Sequence, residues 1–580
     1  MLSASSPPPR FPKPISPKSL VAITAGLLVL PVAADLAGSG PDGPFRYFSA
    51  DAFYYFAIAR NAILHGSLSF DQHFPTNGFH PLWQGLVCLG YAACHTAGLG
   101  EVTFLYWVLL LNLLLVAAAT VYLGCAVGAA GLRLSMLFLL LPVGVYALIV
   151  SPAWLRYVLT GSLAAQNPYE GSQPLYGTLW SYVNGMESSL VLFFFAVCAH
   201  WHVRQRDDGQ SLSSAVVCGL LLSCLCLSRL DHVFFPVSYL SLVFLEAWRR
   251  RNAALLRFAL SASLVFGASM AAYMGANWLY VGAPLPVSGT LKTTFPRFNT
   301  QCLAGIRSLV AEFNRPFWLS FFWREAQLLI PVFFALFFLG SLAFRAAPWR
   351  RKGGNGPVLN RFDEYLGVTA VSVILLASYN FLFVPLSLQG HWYYPVSTLF
   401  CTLVPLSFAG RWKPSSHGGR GRSRWVSMAV LVGLQLAVFV LLHRRLDYHR
   451  RYSAFYLSES KNVVERYGAR AVRLLCHDDG IVAFSLPFPT MSGTGLALDK
   501  EAARRYRDET ILGLALDRGF DRVTTLVYQN FHEKLTKESS TEEIQRRIPF
   551  WPIQRNDLQL EVEYLSLSGE FAIYRVKMRE

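Results

Sequence analysis

The sequence predicts a polytopic α-helical membrane protein that carries a soluble α/β domain at its C-terminal end. Three observations lead there. The 580 residues are 53% hydrophobic, 14% aromatic and only 15% charged, with a mean hydropathy of +0.36, which is too apolar for a set of soluble domains. Apolar stretches of the roughly 20 residues that a bilayer crossing needs recur as far as His443, more often than a signal peptide accounts for. From Leu446 onward Arg, Asp and Glu are mixed in, and no run is long enough to cross.

The net charge of +16 does not indicate nucleic acid. The Lys and Arg residues cluster in short loops between apolar spans, which is the positive-inside pattern of membrane topology. The ten cysteines include Cys88, Cys94, Cys125, Cys198, Cys218, Cys224 and Cys226 within apolar segments. None forms a CxxC pair with companion histidines, so they read as small core hydrophobes and no structural zinc is expected.

Residues 1–18 are rich in Pro and Ser, with Arg10, Lys13 and Lys18, and cannot bury a core; they read as a disordered cytoplasmic tail. Residues 19–445 form the membrane domain. Leu20 to Leu36 is its first span, which places loop 38–80 outside. That loop carries Asp51, followed by the helix-compatible run Phe53 to Ile63. A turn-rich segment with Gly66, Asp71, Pro75 and Asn77-Gly78 comes next, and the chain returns to apolar sequence at His80-Pro81-Leu82-Trp83.

Pro81 to Ala97 and Val102 to Val127 read as a hairpin of two spans. Arg133 to Val150 is apolar enough to cross, and whether Trp154 to Leu163 crosses as well stays open, giving about 11 to 13 spans in all. Beyond this region Arg204/Arg206, Arg249 to Arg251 with Arg257, Arg345 with Arg350 to Lys352, and Arg411 to Arg424 mark the cytoplasmic loops. The spans between them are Glu187 to Val203, Leu212 to Ser228, Val233 to Ala247, Phe258 to Val281, Gln327 to Ala346, Glu364 to Leu386, Trp392 to Gly410 and Trp425 to His443. The polar motifs SYVNGMES, SRLDH, PLPVSGTLK and LQGHWYYP then all fall on the face of Asp51, although that face was assigned from the basic loops alone. Arg444, Arg445, Arg450 and Arg451 run against this topology, since they follow the last span on the outer side.

Residues 446–580 read as the extracytoplasmic domain. Val463 to Tyr467 continues a helical pattern. Ala471 to Leu475 and Gly480 to Phe484 read as strands around the turn His477-Asp478-Asp479. Lys500 to Gly519 is helical, Val523 to Tyr528 strand-like, and Glu561 to Leu567 with Glu570 to Val576 a hairpin.

Several of these segments carry a resemblance. An acidic residue just after the first span, an aromatic amphipathic segment ending in IARN, and the TNGFHPLW return resemble the first external loop of the GT-C superfamily of glycosyltransferases. These are polytopic enzymes that use lipid-phosphate sugars. HDDGIVAF, MSGTGLALDKEAARRY and GFDRVTTLV resemble the C-terminal domain of its bacterial arabinofuranosyl- and mannosyltransferase-like branch. The resemblance implies a GT-C fold, a polyprenyl-phosphate sugar donor, inversion at the anomeric carbon, and a catalytic base at Asp51. It also favours a bacterial inner membrane.

Sugar transfer from a lipid phosphate needs a base for the acceptor hydroxyl and cations for the departing phosphate. Asp51 is the candidate base; the alternative is an N-cap for the helix that follows it. Glu187, at the mouth of a span, is the second carboxylate. Arg229, Asp231 and His232 sit between two spans, with Arg229 suited to phosphate or simply paired to Asp231. Lys292, His391 and Tyr393 are further candidates for phosphate or sugar hydroxyls, against snorkelling and an aromatic belt as alternatives. Arg60 and His80 complete the set, with packing of the loop as the alternative for His80. No cofactor is indicated by a motif. A divalent cation stays open, with Asp51 and Glu187 as its carboxylates.

The expected function is therefore transfer of a sugar to an extracytoplasmic glycan, lipid or protein acceptor, with membrane lipids as surroundings. The rival readings are a transporter or flippase of a lipid-linked substrate and a non-catalytic scaffold displaying the C-terminal domain. Transporters place their charges near the midplane, whereas here they sit at one face.

Overall fold

The structure is a computed structural model. It describes residues 32–33, 36–40, 43–129, 182–205, 211–299, 323–346, 360–385, 393–409, 455–468, 472–477, 479–526, 536–547, 551–566 and 571–579. The N-terminal tail, the Arg133 to Leu163 region, His391 and Arg444 to Arg451 lie outside the described residues, as do the expected last span and nearly all of the first.

Helix α1 (Ala52–His65) is buried along its first ten residues, Ala52 to Asn61. Gly66 ends it at φ +73, a left-handed cap that a Cβ would disfavour. Helix α2 (Pro81–Thr96) starts with proline at its first position, where the missing N–H costs nothing. There follow α3 (Glu101–Ala129), α4 (Ser188–Arg204), α5 (Leu212–Ser228), α6 (Phe234–Arg250), α7 (Ala253–Val281) and the short α8 (Val287–Lys292). Helices α9 (Trp323–Ala346), α10 (Arg361–Phe383) and α11 (Pro395–Ala409) complete the helical part. Ser211, Asn252 and Asn360 cap α5, α7 and α10, each side chain accepting from a backbone N–H three residues on.

Among the described residues, four helical segments are long and apolar enough to cross a membrane: Glu101–Gly128, Leu230–Arg250, Ala253–Val281 and Arg361–Phe383. Four shorter apolar helices, Ser188–Arg204, Leu212–Ser228, Ile330–Arg345 and Pro395–Pro405, lie among them. The chain is an integral membrane protein. Each helix falls on a predicted span with its ends shifted by a few residues, because polar caps and basic last turns extend a helix past its apolar window.

The C-terminal part is built on a five-stranded sheet of order β2-β1-β3-β5-β4. Its strands are β1 (Leu474–Cys476), β2 (Thr490–Ser492), β3 (Arg522–Leu526), β4 (Leu558–Leu565) and β5 (Phe571–Met578). The first three are parallel and the last two run antiparallel. Strands β1 and β2 are buried on both faces, as parallel strands covered by helices are. Helices α12 (residues 455–467), α13 (Asp479–Ser485), α14 (Lys500–Arg507), α15 (Ile511–Asp517) and α16 (Thr541–Arg547) accompany the sheet.

Two expectations are corrected here. Gly480 to Phe484, expected as a strand, is the core of α13, and the partner strand of β1 is instead β2, only three residues long. The apolar run was too short for its period to separate strand from helix. The predicted single helix Lys500 to Gly519 is broken at Asp508 to Thr510, where Glu509 takes φ +58.

Helix α13 packs on α1. Phe484 sits 5.7 Å from Phe53, 5.9 Å from Phe56 and 6.4 Å from Phe104 between ring centroids, so one apolar core runs from the membrane helices into the sheet domain. A Cβ on Gly480 would lie 2.4 Å from the Ala50 carbonyl oxygen, and one on Gly78 2.3 Å from that of Leu496; both approaches require glycine. The C-terminal domain therefore rests on the face that carries Asp51.

Arg60 holds this junction. Its guanidinium donates to the carbonyls of Phe484 (2.6 Å), Ala483 (2.8 Å) and Leu486 (3.2 Å) at the end of α13, where the helix leaves carbonyls without intrahelical partners. Arg60→Met is expected to loosen the docked domain by about 2–4 kcal/mol, since charge-assisted bonds of this kind are each worth about 1.5–3 kcal/mol. Limited proteolysis should then release the C-terminal domain faster than from the wild type; an unchanged rate would show that the aromatic core alone suffices.

Candidate active site

Five separate stretches of chain bring ionisable groups together beside α1. Glu187, at the start of α4, is completely buried. One oxygen accepts from Tyr55 Oη at 2.9 Å. The other accepts from Arg229 Nη1, and His80 Nε2 stands 3.7 Å from it. Arg229 also donates through Nε to both Asp231 oxygens at 3.0 Å, and His232 Nδ1 lies 2.9 Å from Asp231. The guanidinium thus faces two carboxylates, which leaves Nη2 without a carboxylate partner among the described residues.

Tyr393 joins this cluster to Lys292. Its ring lies 4.2 Å from the Arg229 guanidinium carbon, a cation–π distance. Its hydroxyl accepts from Lys292 Nζ at 2.7 Å. Asp51 sits near enough for its charge to act on Lys292: burial pulls the Lys292 ammonium down, while Tyr393 and Asp51 outweigh it and hold it above the ordinary lysine range. The ammonium therefore stays charged at any physiological pH.

Asp51 occupies the N-cap position of α1 with αR dihedrals and makes no side-chain cap bond. The capping alternative is thereby removed, because a capping carboxylate accepts from the second or third helical N–H. His80 has Leu230 N at 3.4 Å from Nδ1, which assigns the proton to Nε2, facing Glu187. Burial pushes its imidazole down to about 4, against the smaller upward pull of Glu187, so it is neutral at pH 7.

The sequence-predicted residues therefore separate. Asp51, Glu187, Arg229, Asp231, Lys292, Tyr393 and His80 converge. Arg60 does not, its guanidinium being bound to the α13 carbonyls, and His391 is outside the described residues. Glu187, expected as a catalytic carboxylate, has both oxygens taken by Arg229 and Tyr55, so its geometry is that of an anchor for Arg229. The same occupancy does not fit a divalent cation between Asp51 and Glu187, which would demand several free oxygen ligands. The described residues contain no group of three metal-ligating side chains.

Tyr55 was not foreseen. The spacing that could have found it is its position four residues after Asp51, one helical turn along DAFYYFAIAR. Tyr54 is a second such residue, its hydroxyl lying 2.8 Å from Thr494 Oγ1 of the C-terminal domain. Asp499 caps α14 and pairs with Arg518.

Asp71, in the turn after α1, accepts from His73 N (2.9 Å) and Phe74 N (2.7 Å). Burial nevertheless pushes its carboxyl up to about 6, and these bonds only partly offset that. Because its folded value lies above the unfolded one, the wild type loses stability as pH rises from about 4 to 6 and no further above that. Asp71→Asn is expected to match the wild type at pH 4 and to exceed it by about 2–3 kcal/mol at pH 7. Thermal unfolding across pH 4 to 8 reads this directly, and a pH-independent difference would contradict it.

No protein-family model matches the chain, and no curated protein matches it. Among solved structures it is similar to the Archaeoglobus fulgidus oligosaccharyltransferase tethered with an acceptor peptide containing the NVT sequon, at 11% identity and TM-score 0.45, covering 97% of this chain and 74% of that one. It is also similar to ArnT from Cupriavidus metallidurans bound to undecaprenyl phosphate, at 12% identity and TM-score 0.45, covering 95% of this chain and 98% of that one. The archaeal oligosaccharyltransferase AglB from Archaeoglobus fulgidus, in complex with an inhibitory peptide and a dolichol-phosphate, matches at 11% identity and TM-score 0.41, covering 96% and 73%. Such values are too low to carry function across, so the site's own geometry must do so.

Proposed function

We propose that this chain is a membrane glycosyltransferase of GT-C type that moves a sugar from a polyprenyl-phosphate donor to an acceptor hydroxyl on the Asp51 face. The observation that carries this reading is the convergence of Asp51, Lys292, Tyr393, Arg229 and Glu187, drawn from five parts of the chain, at one edge of the apolar helices. In the reaction the acceptor attacks the anomeric carbon as the bond from that carbon to the phosphate oxygen breaks. The acceptor proton passes to Asp51, and the electron pair leaves with the polyprenyl phosphate. The configuration inverts. The growing charge on the phosphate is met by Lys292 and by the open edge of Arg229.

The two cations are not equivalent. Arg229 is already facing Glu187 and Asp231, whereas Lys292 has a neutral phenol as its hydrogen-bond acceptor. Lys292 is therefore the stronger phosphate ligand, and Arg229 the group that fixes Tyr393 above it. Lys292→Met is expected to weaken binding of undecaprenyl phosphate about 10- to 100-fold, the worth of one charge-assisted hydrogen bond. Titration of the purified protein with that lipid phosphate measures it.

A transporter or flippase of a lipid-linked substrate would share that binding. Transfer of a radiolabelled sugar from lipid to acceptor separates the two: a panel of polyprenyl-phosphate sugars that bind, are carried across and are never cleaved would overturn the transferase reading.

A further inference from the structure

Helix α14 carries Lys500, Arg504 and Arg507, positions i, i+4 and i+7 that fall in one stripe. Ala502 and Ala503, outside that stripe, are buried against the sheet domain. Both ends of the stripe touch the outer rim of the membrane helices. Lys500 Nζ donates to the carbonyl of Gly282, the cap of α7, at 2.7 Å, and lies 5.7 Å from the Trp278 ring. Arg507 Nη2 donates to the Thr290 carbonyl of α8 at 3.3 Å.

The end of α7 that they touch is a membrane edge. Only 17% of its span is buried inside the protein, and its last turn presents Trp278 (60% exposed), Leu279 (87%) and Tyr280 (45%), the aromatic and apolar set found at headgroup level. Between the two tethered cations Arg504 is exposed and has no ion pair or side-chain hydrogen bond among the described residues. Glu501, its acidic neighbour one turn back, is engaged by Arg518 Nη2 at 3.3 Å.

We infer that the α14 stripe is a binding surface for anionic phospholipid headgroups of the leaflet that meets the Asp51 face, with Arg504 as its lipid-facing cation and Lys500 and Arg507 holding the helix at headgroup depth. Long basic side chains at an apolar edge reach for phosphate while their stems lie on the apolar surface. Surface attraction of this kind accumulates per cation. The surface also fixes how the C-terminal domain sits over the active site, because the same helix is joined to α8, whose last residue is Lys292. None of this depends on the transferase reading, only on α7 as a span.

The full-length protein, reconstituted in phosphatidylcholine bilayers, carries its own local reporter in Trp278. Its share of the fluorescence is the difference between wild type and Trp278→Phe, and brominated lipid quenches it on contact. Brominated phosphatidylglycerol is expected to quench that share at severalfold lower mole fraction than brominated phosphatidylcholine, and Arg504→Gln to reduce the preference about fivefold. Arg504 has no ion pair or side-chain hydrogen bond among the described residues, so an unchanged melting temperature of the variant accompanies this result. Equal quenching by the two lipids, a preference that survives both Arg504→Gln and Arg504→Glu, or abolition of the preference by millimolar inorganic phosphate would each overturn the assignment.

Discussion

Asp51→Asn should abolish nearly all sugar transfer, by about 10²- to 10⁴-fold, which is what general base catalysis contributes, while insertion and melting temperature stay as in the wild type. The stability half of this expectation comes from the backbone. Asp51 makes no side-chain cap bond to α1, so the helix start does not lean on its charge. The isosteric amide keeps the shape of the site and removes the basicity. Its effect should fall on kcat, with binding of the lipid phosphate little changed, because the proposed mechanism gives the phosphate to Lys292 and Arg229. Transfer retained within threefold by Asp51→Asn would remove the base assignment, and a scaffold reading would then gain.

The second large effect concerns stability as well as transfer. Arg229→Met leaves Glu187 fully buried with Tyr55 as its remaining close donor, and stripping one partner from a buried ion pair typically costs about 3–5 kcal/mol. Transfer should also fall, since Tyr393 loses the cation beneath its ring. Adding Glu187→Gln removes the fully buried one of the two charges Arg229 had neutralised, keeps an acceptor for Tyr55 and leaves Asp231 beside His232, so the double variant should recover part of the melting temperature and none of the transfer. That split is diagnostic: independent, additive losses in the double-mutant cycle would mean that Glu187 and Arg229 do not act as one unit.

Much of the molecule is legible before any coordinate. Apolar windows of about 20 residues locate α3 to α7 and α9 to α11 to within a few residues, because crossing a bilayer leaves the backbone no alternative to a helix. Asp51, Glu187, Arg229, Lys292 and Tyr393 can be singled out one by one, since ionisable and aromatic groups at the ends of apolar spans are conspicuous. Arg60 shows where that logic stops. It is just as conspicuous and follows Asp51 on the same helix, yet its guanidinium turns to the carbonyls of Ala483, Phe484 and Leu486, more than four hundred residues away in sequence.

What the sequence alone determined is the class of protein, the position of the spans among the described residues and the residue types available for chemistry, because these follow from hydropathy and charge, which are local properties of the chain. Tertiary structure decided which of those residues meet: that Glu187 is spent on Arg229, that Tyr55 belongs to the cluster, that Asp51 makes no side-chain cap bond to its helix, and that Gly480 lies in a helix against Ala50. Each of these depends on contacts between distant segments, and a short apolar or polar run carries no record of the partner it will be packed against.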